Sequence, residues 1–471
     1  MKSIIDTLME LFTSLFEGLE SLFEKDHSVN ATFGNPSTLI SKSHKGWCVD
    51  GKRFLDLKTS RQNMVVVAGS GKGKTQTHIF PTLLHATASM CVNDNSGELE
   101  AVVPYLQRNG ATTLVMNLTQ KGAVYINPLD GCKDNTPAIR KISKSLMAGV
   151  SKQSDFFSIS GEDCLSLFIQ YVVESEPRLH ANLGNVYRLL LTYQGTPKVI
   201  QQLFAKKASN KVWTSFLALE GNSERTLKSI TATAISALSW LGENPILCDI
   251  TSITNVSFED FRRSQHVLFI QSPVNDAKFY APMVSLIFQS FYRFAFSKLP
   301  SHEDLDILMI LDEFSSLIDG LPDYSNTISN SRKFKIPQLL ILQDESLLSP
   351  YKELKDNILG NCYVKCYYGG QDKKAFELEK LLGTYTYTDK ESKQKKQRPL
   401  LHASEIRELD NEIIVLPNGK KPLKVKVTPA YKQSKLRKRL TIEADAPMDE
   451  MVDYSIQYID LSQYKNQEQQ D

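Results

Sequence analysis

The residues with the plainest chemical capacity form one run, Ala68-Gly69-Ser70-Gly71-Lys72-Gly73-Lys74-Thr75. It follows a short β-branched string, Met64-Val65-Val66-Val67, and leads into a helix-compatible segment that begins with Thr75 and Gln76. The run fits G-x-x-x-x-G-K-[ST] at every position but the first, where Ala68 stands for glycine. That spacing suits a loop wrapped around a phosphate chain. Glycines at 69, 71 and 73 let backbone N–H groups turn inward with no Cβ in the way, at the positive end of the following helix. The cradle is expected to run from Gly69 through Ser70, Gly71, Lys72 and Gly73 to Gln76. Lys74 would reach the β- and γ-phosphates, and Thr75 would offer its hydroxyl to Mg²⁺.

Such a loop needs an acidic element on a neighbouring strand. Asp306-Ile307-Leu308-Met309-Ile310-Leu311-Asp312-Glu313 supplies it, with five apolar residues closing on two acids at the carboxyl end of a strand. Asp312 would hold the Mg²⁺ shell, and Glu313 would orient or deprotonate an attacking water. No Asn-Lys-x-Asp string that would read guanine occurs, so the expected cofactors are ATP and Mg²⁺.

Holding these groups together takes a sheet. Strand signals fall at Met64 to Val67, Ser89 to Val92, Thr112 to Met116, His266 to Ile270, Ile307 to Leu311, Gln338 to Leu342 and Tyr363 to Tyr367. Beyond about Asp134 they nearly vanish, and helical strings such as Glu162 to Val173 and Arg225 to Leu241 take over. The pattern predicts an α/β fold with a mainly parallel central sheet, helices on both faces and an inserted all-α domain. The expected divisions are a nucleotide-binding domain in two parts, 29–133 and 248–440, around an all-α insert at 134–247. Residues 1–28 form an amphipathic helix, with Leu8, Leu11, Phe12, Leu15, Phe16, Leu19 and Leu22 on one stripe and Glu10, Glu17, Glu20 and Glu24 opposite. Such a helix suits a partner protein, another subunit, a lipid interface or the chain's own body; its acidic face disfavours an anionic membrane. Residues 441–471 form an acidic tail, read as a protein-docking segment or plain disorder.

Composition sets the outer limits. With 471 residues, 41% hydrophobic and 23% charged, the chain is neither disordered throughout nor a small disulfide scaffold. Its seven cysteines are scattered and lack CxxC spacing, which predicts buried free thiols and no zinc or disulfide framework. No signal peptide and no membrane span are evident, since polar residues interrupt even the uncharged stretch from Thr75 to Asn93. The net charge of +2 conceals segregation. Basic residues dominate from Asp389 to Leu440, and acids dominate after Thr441. The basic stretch reads either as a solvated face or as a lining for nucleic-acid phosphates, which would bind without sequence preference.

The ordered motifs between about Gly46 and Val427 resemble the coupling ATPases of type IV secretion and conjugation, the TraG/TraD-like proteins of the RecA-like P-loop motor class. Besides the two nucleotide motifs, the set includes Asp94-Asn95-Ser96-Gly97-Glu98-Leu99, similar to the family's Asp-Pro-Lys-Gly-Glu-Leu with Ser96 in place of lysine. It also includes Asn127-Pro128-Leu129-Asp130, Arg332 with Gln343 eleven residues later, Asn361 and the segment from Leu401 to Leu409. The resemblance implies an ATP-driven motor that recruits a relaxase–DNA or protein substrate and drives single-stranded DNA through a type IV secretion channel. It implies Arg332 as a finger reaching a neighbouring subunit's γ-phosphate and Gln343 as a sensor of the same phosphate, in a hexameric ring. Family members usually begin with two membrane-spanning helices. With one short amphipathic helix in their place, the expected location is the bacterial cytoplasm, peripheral to the inner membrane. A chromosome-partitioning or DNA-packaging translocase of the FtsK/HerA kind is an open alternative, as is a recruitment adaptor that binds nucleotide without turnover.

Overall fold

The computed structural model describes residues 30–150, 155–443 and 453–465. The amphipathic helix read in residues 1–28 lies outside them, as do residues 444–452 and 466–471 of the acidic tail. Among the described residues eleven strands are formed: β1 (Met64–Val67), β2 (Ser89–Asp94), β3 (Thr112–Asn117), β4 (His266–Gln271), β5 (Ile307–Leu311), β6 (Gln338–Leu342), β7 (Val364–Tyr368), β8 (Thr384–Thr388), β9 (Lys395–Pro399), β10 (Glu412–Pro417) and β11 (Leu423–Lys426). Nine make one sheet in the order β11-β10-β7-β1-β6-β5-β2-β4-β3, while β8 and β9 form a separate hairpin.

From β7 across to β3 every pairing is parallel; β10 runs antiparallel to β7, and β11, antiparallel to β10, returns to the common direction. The central strands β1, β5 and β6 are apolar runs buried on both faces, as strands covered by helices on each side must be. Alternation divides them between two cores. Val65 and Val67 of β1 pack with Cys91 of β2 on one face, and Met64 and Val66 pack with Met90 and Val92 on the other. All seven cysteines are buried and free.

Register brings the carboxyl ends of the central strands to one edge. Val67 pairs with Leu342 and with Tyr367, Leu340 pairs with Leu311, and Ile310 pairs with Val92. The loops after β1, β2, β5 and β6 therefore open on the same side.

Between β3 and β4 the described chain forms helices only, including Thr136–Met147, Phe156–Ser175, Leu183–Gly195, Pro197–Lys207, Asn210–Glu220 and Glu224–Ser236. Their core is aromatic. Tyr171 stacks on Phe204 with ring centroids 4.1 Å apart, and Phe204 meets Phe216 at 4.5 Å. Residues 453–465 of the tail lie on this helical lobe, burying Ile459, Leu461 and Tyr464. Among the described residues no helix is long and apolar enough to cross a membrane.

Asn63 secures the opposite, amino end of the sheet. Its side-chain oxygen accepts from the Gln338 N–H at 2.9 Å and the Ser331 hydroxyl at 3.0 Å, and its amide donates to the Asn361 carbonyl at 3.1 Å. Its φ of 64° lies in the left-handed region, which asparagine tolerates better than alanine. Asn63→Ala leaves buried partners unpaired and is expected to lower stability by about 3 kcal/mol, read from the urea midpoint at unchanged slope.

Candidate nucleotide site

The glycine loop has an open floor. Gly71 and Gly73 adopt φ of 73° and 75°, and a Cβ added at Gly69, Gly71 or Gly73 would meet no atom within 4 Å. The left-handed conformations that demand glycine thus fall at 71 and 73. Ala68 stays outside that region, is fully buried, and continues the ladder through its N–H to the Leu342 carbonyl at 3.0 Å. Alanine therefore fits where the motif has its first glycine.

Lys74 folds back over the loop, donating to the carbonyls of Ala68 at 2.8 Å and Gly69 at 3.3 Å. Burial lowers its pKa, and the nearby Asp312 and Glu313 carboxylates partly offset the shift. The helix beyond begins as a π-helical turn over Thr75–Ile79 and continues as α-helix over Phe80–Leu83, where Pro81 lacks the N–H that Thr77 would otherwise bond. Gln76 has a buried amide oxygen with no hydrogen-bond partner among the described residues. His78 anchors the turn: its two ring nitrogens meet the Cys48 carbonyl and the Tyr368 hydroxyl, each at 2.9 Å. Burial pushes its pKa down to about 4, so it is neutral at physiological pH. Lys72 extends over the Gly369-Gly370 turn that follows Tyr368, with its Cε 3.5 Å from where a Gly370 Cβ would stand. His78 and Tyr368 were not singled out by the sequence reading; they reveal themselves only once β7 is seen beside β1.

The acidic pair closes the other side. Asp312 is pushed up to about 6, chiefly by burial, while the Glu313 N–H that bonds its Oδ1 at 3.0 Å works in the opposite direction. Glu313 itself is left-handed, with φ 51° and ψ 45°, a conformation held against its intrinsic preference at the end of β5. Its two carboxylate oxygens are taken by different amides. Oε1 accepts from Gln343 at 3.2 Å, and Oε2 accepts from Asn95 at 3.3 Å. Asn95 is in turn oriented by the Ser272 hydroxyl, which donates to its Oδ1 at 3.2 Å. Two residues earlier, Asn93 donates to the Asp312 carbonyl at 2.7 Å. Asp94 between them is raised to about 6 by burial and faces Gln271. Gln343 is legible in the sequence and Asn95 falls inside the Asp94–Leu99 string, but neither Asn93 nor Asn95 carries a site role there. Their signal was period-two spacing at the end of a strand, which carries meaning only when that strand is known to flank β5.

Arg332 lies elsewhere. It caps the helix Tyr324–Ser331 ahead of β6, on the amino side of the sheet, whereas Lys74 lies past the carboxyl end of β1. It is exposed beside a polar cleft of about 240 Å³ that Ser329, Asn361 and Asn418 also line. Within one chain it is therefore remote from Lys74, Asp312, Glu313 and Gln343. The basic stretch is divided among three places. Lys390, Lys393, Lys395 and Lys396 belong to the β8–β9 hairpin, Lys420 and Lys421 to the β10–β11 turn, and Lys435, Arg437 and Lys438 to the helix Ser434–Leu440. Arg439 is committed to structure, donating to the Leu84 carbonyl at 2.7 Å and lying over the Tyr105 ring.

The family model described as "Type IV secretory system Conjugative DNA transfer" matches residues 19–453. The chain belongs to this family. It is 24% identical over 401 residues to the protein VirD4 of Rhizobium rhizogenes and, to the same degree, to VirD4 of Agrobacterium fabrum. The match takes in 79% of this chain and 59% of each relative, so the chain spans about three fifths of the length of these curated relatives. Among solved structures, the plasmid coupling protein TrwB with ADP and Mg²⁺ superposes with a TM-score of 0.66 at 14% identity, covering 88% of this chain and 97% of that one. VirB4 of Thermoanaerobacter pseudethanolicus is more distant, at a TM-score of 0.52 and 13% identity, covering 84% and 99%. The fold is thus the α/β, RecA-like P-loop fold of a coupling protein.

The glycine cradle, the Thr75 hydroxyl and the Asp312 carboxylate fit a nucleotide with its Mg²⁺. The raised Asp312 pKa gives that fit a pH signature. Above about pH 7 the carboxylate is ionised and ready for the metal; below 6 a proton must leave first, so metal affinity falls toward tenfold per pH unit. Mg²⁺ titration of nucleotide binding at pH 5 and pH 7.5 should show this loss, and Asp312→Asn should bind weakly at both values.

Proposed function

We propose that the protein is an ATP-hydrolysing coupling motor, which recruits a relaxase–DNA or protein substrate and drives DNA transfer through a type IV secretion channel. The observation that carries this reading is the placement of Glu313. A carboxylate suspended between Gln343 and Asn95, on the strand beyond the one that borders the glycine loop, has the arrangement needed for hydrolysis as well as binding. Family membership and the nucleotide-bound TrwB structures support it.

The roles follow from chemistry. Bound ATP with Mg²⁺ supplies the phosphoryl group and its charge shielding. Lys74 exchanges its loop carbonyls for the β- and γ-phosphate oxygens. Thr75 and Asp312 would hold the metal, and Glu313 would orient the water and accept its proton. Gln343 lies between Glu313 and the loop and reports the phosphate to β6. Arg332, exposed at the opposite sheet edge, supplies positive charge to the next subunit's site in a ring, where it stabilises the transferring phosphoryl group. The hairpin, turn and terminal-helix cations give phosphate contacts suited to single-stranded DNA without base preference.

A steady-state ATPase assay with and without single-stranded DNA tests the reading. DNA-stimulated turnover is expected to fall at least 100-fold in Lys74→Ala and Glu313→Gln, with nucleotide binding retained in the latter. A wild-type protein that binds ATP and hydrolyses none, with DNA present at high protein concentration, identifies an adaptor instead.

The trans position of Arg332 makes a second prediction. Mixing inactive Arg332→Ala with inactive Lys74→Ala subunits should restore partial turnover, because some mixed interfaces pair an intact loop with an intact arginine. Co-assembly confirmed by sizing, without rescue, excludes the finger.

A further inference from the structure

The two amides that hold the Glu313 carboxylate are not equivalent. Gln343 follows β6, the strand between β5 and the β1 strand that carries the glycine loop, whereas Asn95 follows β2 on the far side of β5. Gln343 is exposed, and among the described residues its side chain has Glu313 Oε1 as its hydrogen-bond partner. Asn95 is itself held. While its Nδ2 donates to Glu313 Oε2 at 3.3 Å, its Oδ1 accepts from the hydroxyl of Ser272, a buried residue directly after β4 and one strand further from the loop.

The backbone of Glu313 is already fixed by other groups. Its N–H donates to Asp312 Oδ1 at 3.0 Å, and its carbonyl accepts from the Ser316 N–H at 2.8 Å and the Ser316 hydroxyl at 2.9 Å. Asn93 donates to the preceding Asp312 carbonyl at 2.7 Å. The aim of the carboxylate is therefore left to its own side-chain torsions and to the two amides. A phosphate on the glycine loop competes for the Gln343 amide, which stands on the same side of β5. Asn95 stands on the other side and keeps its bond. Oε1 then opens to a water while Oε2 stays tethered, and a tethered carboxylate loses less orientational freedom on reaching its reacting geometry. In the Asp-Pro-Lys-Gly-Glu-Leu string that Asp94–Leu99 resembles, proline stands where this chain has Asn95. Proline has no side-chain amide to donate, so that string does not supply this tether.

We propose that Asn95 is a positioning residue for Glu313, anchoring Oε2 so that Oε1 faces the attacking water, and that Ser272 acts through Asn95 by fixing its amide. The proposal rests on the reading of Glu313 as the group that takes the water's proton, and it assigns Asn95 and Ser272 no contact with nucleotide.

Steady-state ATPase kinetics on the full chain test it. Asn95→Ala should lower kcat about tenfold with KM for ATP held within about twofold, and Ser272→Ala should lower kcat about threefold in the same manner. The double variant should be no slower than Asn95→Ala alone, because the hydroxyl has nothing left to orient. Asn95→Asp separates anchoring from packing. It keeps the shape of the side chain but sets a carboxylate against Glu313, so its kcat should fall below that of Asn95→Ala. A purely structural role gives the opposite order. Cooperative melting and unchanged nucleotide affinity establish that each variant is folded, and the Ser272→Ala result stands by itself if Asn95→Ala does not fold. A folded Asn95→Ala or Ser272→Ala chain with wild-type kcat overturns the proposal, as do additive losses in the double variant. In those cases an active wild type leaves the motor reading intact. A wild type that hydrolyses no ATP removes that reading and the anchor with it.

Discussion

The position of β6 between β1 and β5 is the constraint on which the rest of the site depends. Parallel register carries the carboxyl ends of all three strands to one edge, so the glycine loop, Gln343 and the Asp312-Glu313 pair emerge side by side. A one-residue slip of β6 would turn Leu340 and Leu342 from one core into the other and take Gln343 away from Glu313. Complete burial on both faces makes that slip costly, because each strand would exchange two well-packed sets of side chains at once.

Within this frame the site is electrostatically poised. Lys74, Asp312 and Glu313 share a partly buried volume, where burial works against every isolated charge and each opposite charge offsets part of that penalty. Lys74 rests on its own loop carbonyls and Glu313 on two side-chain amides, so both charged groups have partners that a phosphate or a water can replace. The left-handed backbone at Glu313 fits the same picture, since strain of this kind persists where the surrounding structure holds it in place.

The helical lobe is held by different forces. Stacked and tilted aromatic rings make its core, and its surface carries a tail segment bound through Asn185 and flanking cations. The acidic end of the chain, ambiguous in the sequence between docking segment and disorder, is over residues 453–465 a docked segment. The lobe thus covers part of the chain's own tail, while the sheet carries the loop shaped for phosphate.

The linear sequence determined much of this. The central strands β1, β5 and β6 were legible because each is a short run of β-branched or aliphatic residues buried on both faces, and they fall where those runs predict. The loop was legible because glycine and lysine spacing is a local requirement of backbone geometry. The edge strands β10 and β11 were not, for their lysines and glutamate read as surface, and antiparallel pairing at a sheet edge tolerates such residues. Nor could the sequence show Asn93 and Asn95 beside Glu313, His78 against Tyr368, or Asn185 holding Gln457 and Ile459. Those contacts join residues dozens to hundreds of positions apart, and only tertiary packing sets their distances. Local chemistry is written in spacing along the chain; the partners of each group are decided by which strands and helices the buried core brings together.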